Sequence, residues 1–314
     1  MYAQPARFVE LIDRYDGFLF DAYGVLVDAS GPCPGAAEAI AAVRAAGKPL
    51  AVVTNDSSRL PATAAARFAR VGLAIAEDEV VSSGQQLAPF VTERGLAGAV
   101  AMVLGNADAR AYATAAGLTP VEPSDDAVVD VLAVCDDGGF DFLRGMNAAI
   151  SACVRALDAG RPLVLVCPNP DLVYPRGGGA LGFTAGAMAM IVEAALVRRH
   201  PDAPRFAYLG KPHAPIFAAA RRRLAGVDAL LMVGDQLETD VAGARGAGLH
   251  AALVTGVSRW RDGATAAHLA PHWLLDGLCG ARWVAVAPSR WRDTPVTSAA
   301  WRPAPRAPAT SVSS

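Results

Sequence analysis

The sequence predicts an α/β fold: a doubly wound, mostly parallel sheet with helices on both faces, and a second α/β unit inserted into it. Three observations carry this expectation. Short apolar runs alternate with alanine-rich helical stretches along the chain. Four of the runs end on polar residues: Gly17–Phe20 on Asp21, Pro49–Val53 on Thr54, Phe206–Leu209 on Gly210 and Lys211, Leu230–Val233 on Gly234 and Asp235. Between the second and third lies a long stretch with strand and helix signals of its own, among them Val100–Leu104, Val129–Val134 and Leu163–Val166.

Each element has a physical reason. Apolar runs of four or five residues without polar alternation suit strands buried on both faces, as in a parallel sheet. Ala36–Ala46 and Ala214–Leu224 read as helices connecting them. In such sheets the ligand lies beyond the carboxyl ends of the strands. The four polar ends are therefore expected to gather on one edge, although they are far apart in the chain. The implied organisation is a core domain of residues 1–86 and 204–286, with residues 87–203 as an inserted cap domain. Beyond about Val286, Pro, Ser, Ala and Arg dominate and no apolar period survives, so residues 287–314 are expected to form a disordered tail.

Composition narrows the function classes. Hydrophobic residues make up 53% of the 314 and charged residues 18%, ample for a packed core. A net charge of −2 gives no basic excess for nucleic acid or an anionic membrane. No secretory signal and no stretch long enough to span a bilayer are visible. The five cysteines are odd in number and form no C-x-x-C pair, which points to a reduced, cytoplasmic protein.

The strand ends carry the candidate chemistry. Asp21, followed by Gly24 in a tight loop, can present a carboxylate that attacks phosphorus to form an acyl phosphate; the same pattern also stabilises ordinary turns. Thr54 and Asn55, at a strand-to-helix junction, can hold a phosphate oxygen through a hydroxyl and backbone N–H groups, or simply cap a helix. Lys211 is kept in a loop by Pro212 and can screen the repulsion between nucleophile and phosphate. It is one of only two lysines, the other being Lys48. Asp235 and Asp240, five positions apart, can make an acidic pocket for Mg²⁺ or an N-cap cluster.

Together and in this order, Asp21-Ala22-Tyr23-Gly24-Val25-Leu26, Pro34-Gly35-Ala36, Thr54-Asn55-Asp56-Ser57-Ser58-Arg59, Asn169-Pro170-Asp171, Gly210-Lys211-Pro212 and Gly234-Asp235 through Asp240 resemble the haloacid dehalogenase superfamily. More narrowly they are similar to its class IIA phosphatases of the NagD type. The resemblance covers about Tyr15 to Gly256. It implies Asp21 as nucleophile and Mg²⁺ ligand, the backbone carbonyl of Tyr23 and the carboxylate of Asp235 as further ligands, and Thr54 and Asn55 on the transferring phosphoryl group. Lys211 would neutralise charge, and Asp240 would position Lys211 or a metal-bound water. The implied activity is hydrolysis or transfer of the phosphoryl group of a small phosphorylated metabolite through an aspartyl-phosphate, with a homo-oligomer as in many relatives. The long interval from Thr54 to Lys211 suits the class IIA cap, and Asn169-Pro170-Asp171 would form a substrate-facing turn at its end.

One position departs from the family pattern. The second residue after the nucleophile is usually an Asp that protonates the leaving group and then activates water; here it is Tyr23. A phenol has a pKa near 10, against about 4 for Asp, so a slow phosphatase is one expectation. A phosphate-ligand sensor with little turnover is an alternative, and a 2-haloacid dehalogenase, whose leaving halide needs no proton, is another. His213 could substitute as acid or base, though a solvent-facing helix start is the plainer reading. Gly177-Gly178-Gly179 reads as a flexible turn, and Asp136-Asp137 as a solvated turn before Gly138-Gly139.

Overall fold

The computed structural model describes residues 3–177, 180–255 and 269–279. The expected tail, residues 287–314, lies outside the described residues, as does most of the Gly177-Gly178-Gly179 turn. Seven parallel strands form the first sheet, in the order Gln4–Pro5, Trp273–Leu275, His250–Val254, Leu230–Gly234, Gly17–Phe20, Leu50–Thr54 and Val80–Ser82. The central strands are wholly buried, which is why their sequences show no polar alternation.

The period of two along each strand splits these side chains between two cores. Phe18, Phe20, Val52, Leu231 and Val233 face one way, against Phe8, Ile40, Val43 and Phe68 of the helices Phe8–Ile12, Ala36–Ala45 and Pro61–Arg70. Leu19, Ala51, Val53, Met232 and Leu253 face the other, against Ile216 and Phe217 of the helix Ala214–Arg223. Each fully buried Leu or Phe contributes roughly 1.5–3 kcal/mol, so both helical layers are held firmly and the strand ends between them have a fixed spacing.

A second parallel sheet of five strands runs in the order Ala207–Tyr208, Val164–Cys167, Val131–Val134, Val100–Leu104 and Thr119–Val121. The helices Phe142–Asp158 and Ala185–Arg199 cover one face, and Leu87–Glu93 with Ala107–Ala115 the other. A two-stranded antiparallel hairpin, Val173–Gly177 with Ala180–Phe183, pairs with neither sheet.

One strand lies elsewhere than expected. Ala207–Tyr208 does not join the first sheet but pairs with Val166–Cys167 of the second. In the first sheet, Gly17–Phe20 already occupies the place between Leu230–Gly234 and Leu50–Thr54. Three of the four polar ends therefore belong to one sheet edge, and Lys211 reaches them from the other sheet.

Candidate active site

Asp21 follows the last residue of Gly17–Phe20, and its N–H donates to the carbonyl of Val233 on the adjacent strand at 2.9 Å. That bond fixes the backbone from which the carboxylate projects. Asp235 follows Leu230–Gly234 in the same way. Asp240 lies one π-helical turn further, in Leu237–Val241; such turns re-aim side chains relative to a regular helix. Gly234 is required here, because a Cβ would meet the Cβ of Asp240 at 2.2 Å.

Lys211 joins these groups. Its Nζ donates to Asp21 Oδ1 at 2.5 Å and to Asp240 Oδ1 at 2.7 Å, with all three residues buried. Asp240 Oδ2 in turn accepts from the N–H groups of Asp235 at 3.2 Å and Gln236 at 3.1 Å. Asp240 is thus a strap between the lysine and the loop that carries Asp235. Burial works against the Lys211 charge, but Asp21 and Asp240 outweigh it and hold the ammonium above its ordinary range. Burial pushes the Asp21 carboxyl up to about 7, against the attraction of Lys211.

Asn55 holds the lysine's backbone. Its Oδ1 accepts from Lys211 N at 2.6 Å, and its Nδ2 donates to Lys211 O at 3.0 Å and to Asp171 Oδ1 at 2.9 Å. Its carboxamide is therefore a clamp between the two sheets' loops. The Asn55 carbonyl accepts from Ser83 Oγ at 2.6 Å. Thr54 Oγ1 accepts from Asp56 N at 3.1 Å, which leaves its own hydroxyl hydrogen to donate elsewhere.

The donor set fits a hard divalent cation. Carboxylate oxygens of Asp21, Asp235 and Asp240 lie within 4.8 Å of one another. Three carboxylates face one ammonium, and Asp235 Oδ1 is buried without a hydrogen-bond partner. Burial, with Asp21 and Asp240 nearby, drives the Asp235 carboxyl well above its usual range. An oxygen-coordinated Mg²⁺, which takes one or two protein carboxylates together with water and phosphate oxygens, would relieve all of these at once. Gly24, at φ +98°, lets the loop after Asp21 pass directly over Asp235.

A cavity of about 350 Å³ opens above this floor. Thr54, Asn55, Asp171 and Lys211 line its base, and Tyr23, Arg67, Asp136 and the hairpin residues Val173, Tyr174 and Pro175 line its walls. The Tyr23 hydroxyl donates to the Pro175 carbonyl at 2.8 Å. Burial raises the phenol above its ordinary value, so it stays protonated. Arg59 pairs with Asp56 at 2.5 Å. Burial and the neighbouring Arg59 lower Arg67.

The sequence reading brought Asp21, Tyr23, Thr54, Asn55, Lys211, Asp235 and Asp240 forward, and the fold places them all at one site. It missed Arg67 and the hairpin, whose exposed apolar side chains Val173, Leu181 and Phe183 show no burial pattern. Asp136, expected in a solvated turn, is half-buried and lines the cavity, with its carboxyl pushed up to about 6 by burial and by Asp137. His213 stacks on Tyr208 with ring centroids 5.6 Å apart and does not line the cavity.

Known proteins resemble this chain in sequence and in fold. Residues 18–119 match the family model described as haloacid dehalogenase-like hydrolase, and residues 208–281 match one described as HAD-hydrolase-like. Human chronophin is 32% identical over 285 residues, spanning 86% of this chain and 93% of that protein. The glycerol phosphate phosphatase of Mycobacterium tuberculosis, solved in complex with magnesium, superposes with a TM-score of 0.71 at 25% identity, over 88% of this chain and 78% of that one. NagD from Escherichia coli shares the fold, with a TM-score of 0.66 at 24% identity, over 85% of this chain and 98% of that one. The chain belongs to the haloacid dehalogenase-like hydrolase family.

Proposed function

We propose that this protein is a magnesium-dependent phosphatase acting on phosphate monoesters of small metabolites, with Asp21 as the nucleophile. The observation that carries the reading is the Lys211 ammonium, bridging Asp21 and Asp240 at the floor of a cavity. The named phosphatases among the relatives, and the magnesium in the mycobacterial structure, support it. The first sheet supplies Asp21, Thr54 and the acidic residues Asp235 and Asp240, Lys211 arrives from the second sheet, and Asp136 and the hairpin join Tyr23 and Arg67 in the walls. No helix among the described residues is long and apolar enough to cross a membrane, and the five unpaired cysteines suit a reducing, cytoplasmic setting.

The chain's own groups account for the chemistry. Asp21 attacks phosphorus, the ester P–O bond breaks, and the electron pair leaves with the departing oxygen. Lys211 offsets the charge that accumulates between the carboxylate and the phosphoryl oxygens. Thr54 Oγ1, its lone pair already engaged by Asp56 N, donates to a phosphoryl oxygen. Water then cleaves the aspartyl-phosphate, returning Asp21 and releasing phosphate. Asp21, the Tyr23 carbonyl and Asp235 would hold Mg²⁺, which when bound supplies electrostatic stabilisation of the phosphoryl group.

The test is phosphate release from a panel of sugar phosphates, nucleotides, glycerol 3-phosphate and pyridoxal phosphate, with Mg²⁺ and with chelator. Release should require the metal and vanish in Asp21→Asn. Release that survives in that variant would refute the assignment of the nucleophile.

A further inference from the structure

Tyr23 stands two positions after Asp21 and lines the cavity. Its hydroxyl carries a single hydrogen, which is donated to the carbonyl of Pro175 at 2.8 Å across 152 residues of sequence. The hydrogen is thereby directed at the hairpin. The hairpin needs such a contact. It pairs with neither sheet, and an isolated two-stranded ribbon is marginal in water. At its base it is tied by Asn169 Nδ2, which donates to Thr184 Oγ1 at 3.2 Å, and by Thr184 N, which donates to Leu172 O at 3.0 Å. Phe183 packs on Phe142 with ring centroids 5.1 Å apart, and Tyr23 fastens the opposite strand at Pro175. Val173, Tyr174 and Pro175 then stand as one wall of the cavity.

We propose that the Tyr23 hydroxyl is a strut that positions this hairpin and gives no proton to the departing oxygen, so that the site selects phosphate esters whose leaving group departs as a stabilised anion. The substrate class is aryl, enol or acyl phosphates, ahead of simple alkyl phosphates. The proposal rests on the phosphatase reading above.

The chemistry follows from the balance of the first step. When an Asp21 oxygen bonds to phosphorus, the electron pair of the breaking P–O bond goes to the leaving oxygen. An alkoxide needs a proton as that bond breaks, and general acid catalysis typically supplies about 10²–10⁴-fold there. A phenolate, enolate or carboxylate delocalises the charge and leaves without the proton. Water then hydrolyses the aspartyl-phosphate, and no further reactant is needed. Tyr23 is on this account a positioning residue, acting through the hairpin.

The experiment measures kcat/KM with Mg²⁺ for 4-nitrophenyl phosphate, phenyl phosphate and glycerol 3-phosphate in the full-length wild-type protein and in Tyr23→Asp, Tyr23→Phe and Asp136→Asn. Wild type should fall by at least about 10²-fold from the first substrate to the last, the size of the missing acid contribution. Tyr23→Asp should flatten the series by raising the alkyl ester selectively. Tyr23→Phe should keep the steep series, raise KM, and speed hydrogen exchange of the hairpin amides. A flat wild-type series would overturn the proposal, and so would a Tyr23→Phe protein whose hairpin exchange does not change. A steeper series in Asp136→Asn would move the proton donor to the cap and also overturn it. Failure of the phosphatase reading looks different: no ester in the series would be turned over at all.

Discussion

A Cβ on residue 24 would lie 2.4 Å from Oδ2 of Asp235, so the loop after Asp21 and the carboxylate of the neighbouring strand share a space that only glycine leaves open. The backbone there also has φ +98°, which L side chains adopt at a cost.

Gly24→Ala therefore pushes Asp235 out of place and strains the loop. It should lower stability by about 1–3 kcal/mol and raise the Mg²⁺ concentration for half-maximal activity by about tenfold, which corresponds to about 1.4 kcal/mol of binding. Thermal melts and a magnesium titration check both. An unchanged magnesium requirement would argue against Asp235 as a ligand.

Lys211→Met removes the ammonium that donates to Asp21 and Asp240. Breaking a buried ion pair by deleting one partner costs about 3–5 kcal/mol, so the protein should be markedly less stable as well as inactive. Denaturant unfolding with phosphatase assays tests this. Wild-type stability in the variant would mean that the pair contributes little to the fold.

Asn55→Ala should lower kcat with a moderate loss of stability, about 1–3 kcal/mol for the buried polar groups it strands. The carboxamide makes three hydrogen bonds, two of them to the Lys211 backbone. Asp171, already pushed up by burial, would lose the Asn55 donor that lowers it and would rise further. Comparison of kcat with unfolding free energy separates a loosened lysine from general destabilisation.

The metal-free protein should lose stability as pH rises from about 4 to about 7. Asp21 is raised by burial from 3.8 to about 7, so in that window the folded form binds more protons than the unfolded form. The contribution is fully present below the unfolded value and is lost as pH climbs through the folded one. Asp235 is raised as well and acts in the same direction. Bound Mg²⁺ favours the ionised carboxylates and should flatten the dependence. Melting temperatures between pH 4 and about 8, with and without the metal, give the comparison. His272, lowered by burial from 6.5 to about 4, acts in the opposite direction, so the comparison is with Asp21→Asn: a pH dependence identical in that variant would contradict the burial argument.

The legible parts of the site are those written locally. Asp21, Thr54 and Asp235 each close a strand whose residues are all buried, and a polar residue at such a place has few destinations other than the sheet edge. The route of Lys211 is not legible, because Ala207–Tyr208 is two residues long and carries no pattern that chooses between the two sheets. The task of Asn55 was hidden for a different reason: it binds main-chain atoms 156 positions away, and main-chain atoms leave no trace in a sequence. Tyr23 announced itself by departing from the family pattern, but only the fold connects its hydroxyl to Pro175.

Lys211 enters from the second sheet and yet pairs with Asp21 at the end of a first-sheet strand. The Asn55 carboxamide holds both main-chain groups of that lysine, so the two layers share one charge network and a substitution that loosens Ala207–Tyr208 would be felt at the Asp21 carboxylate.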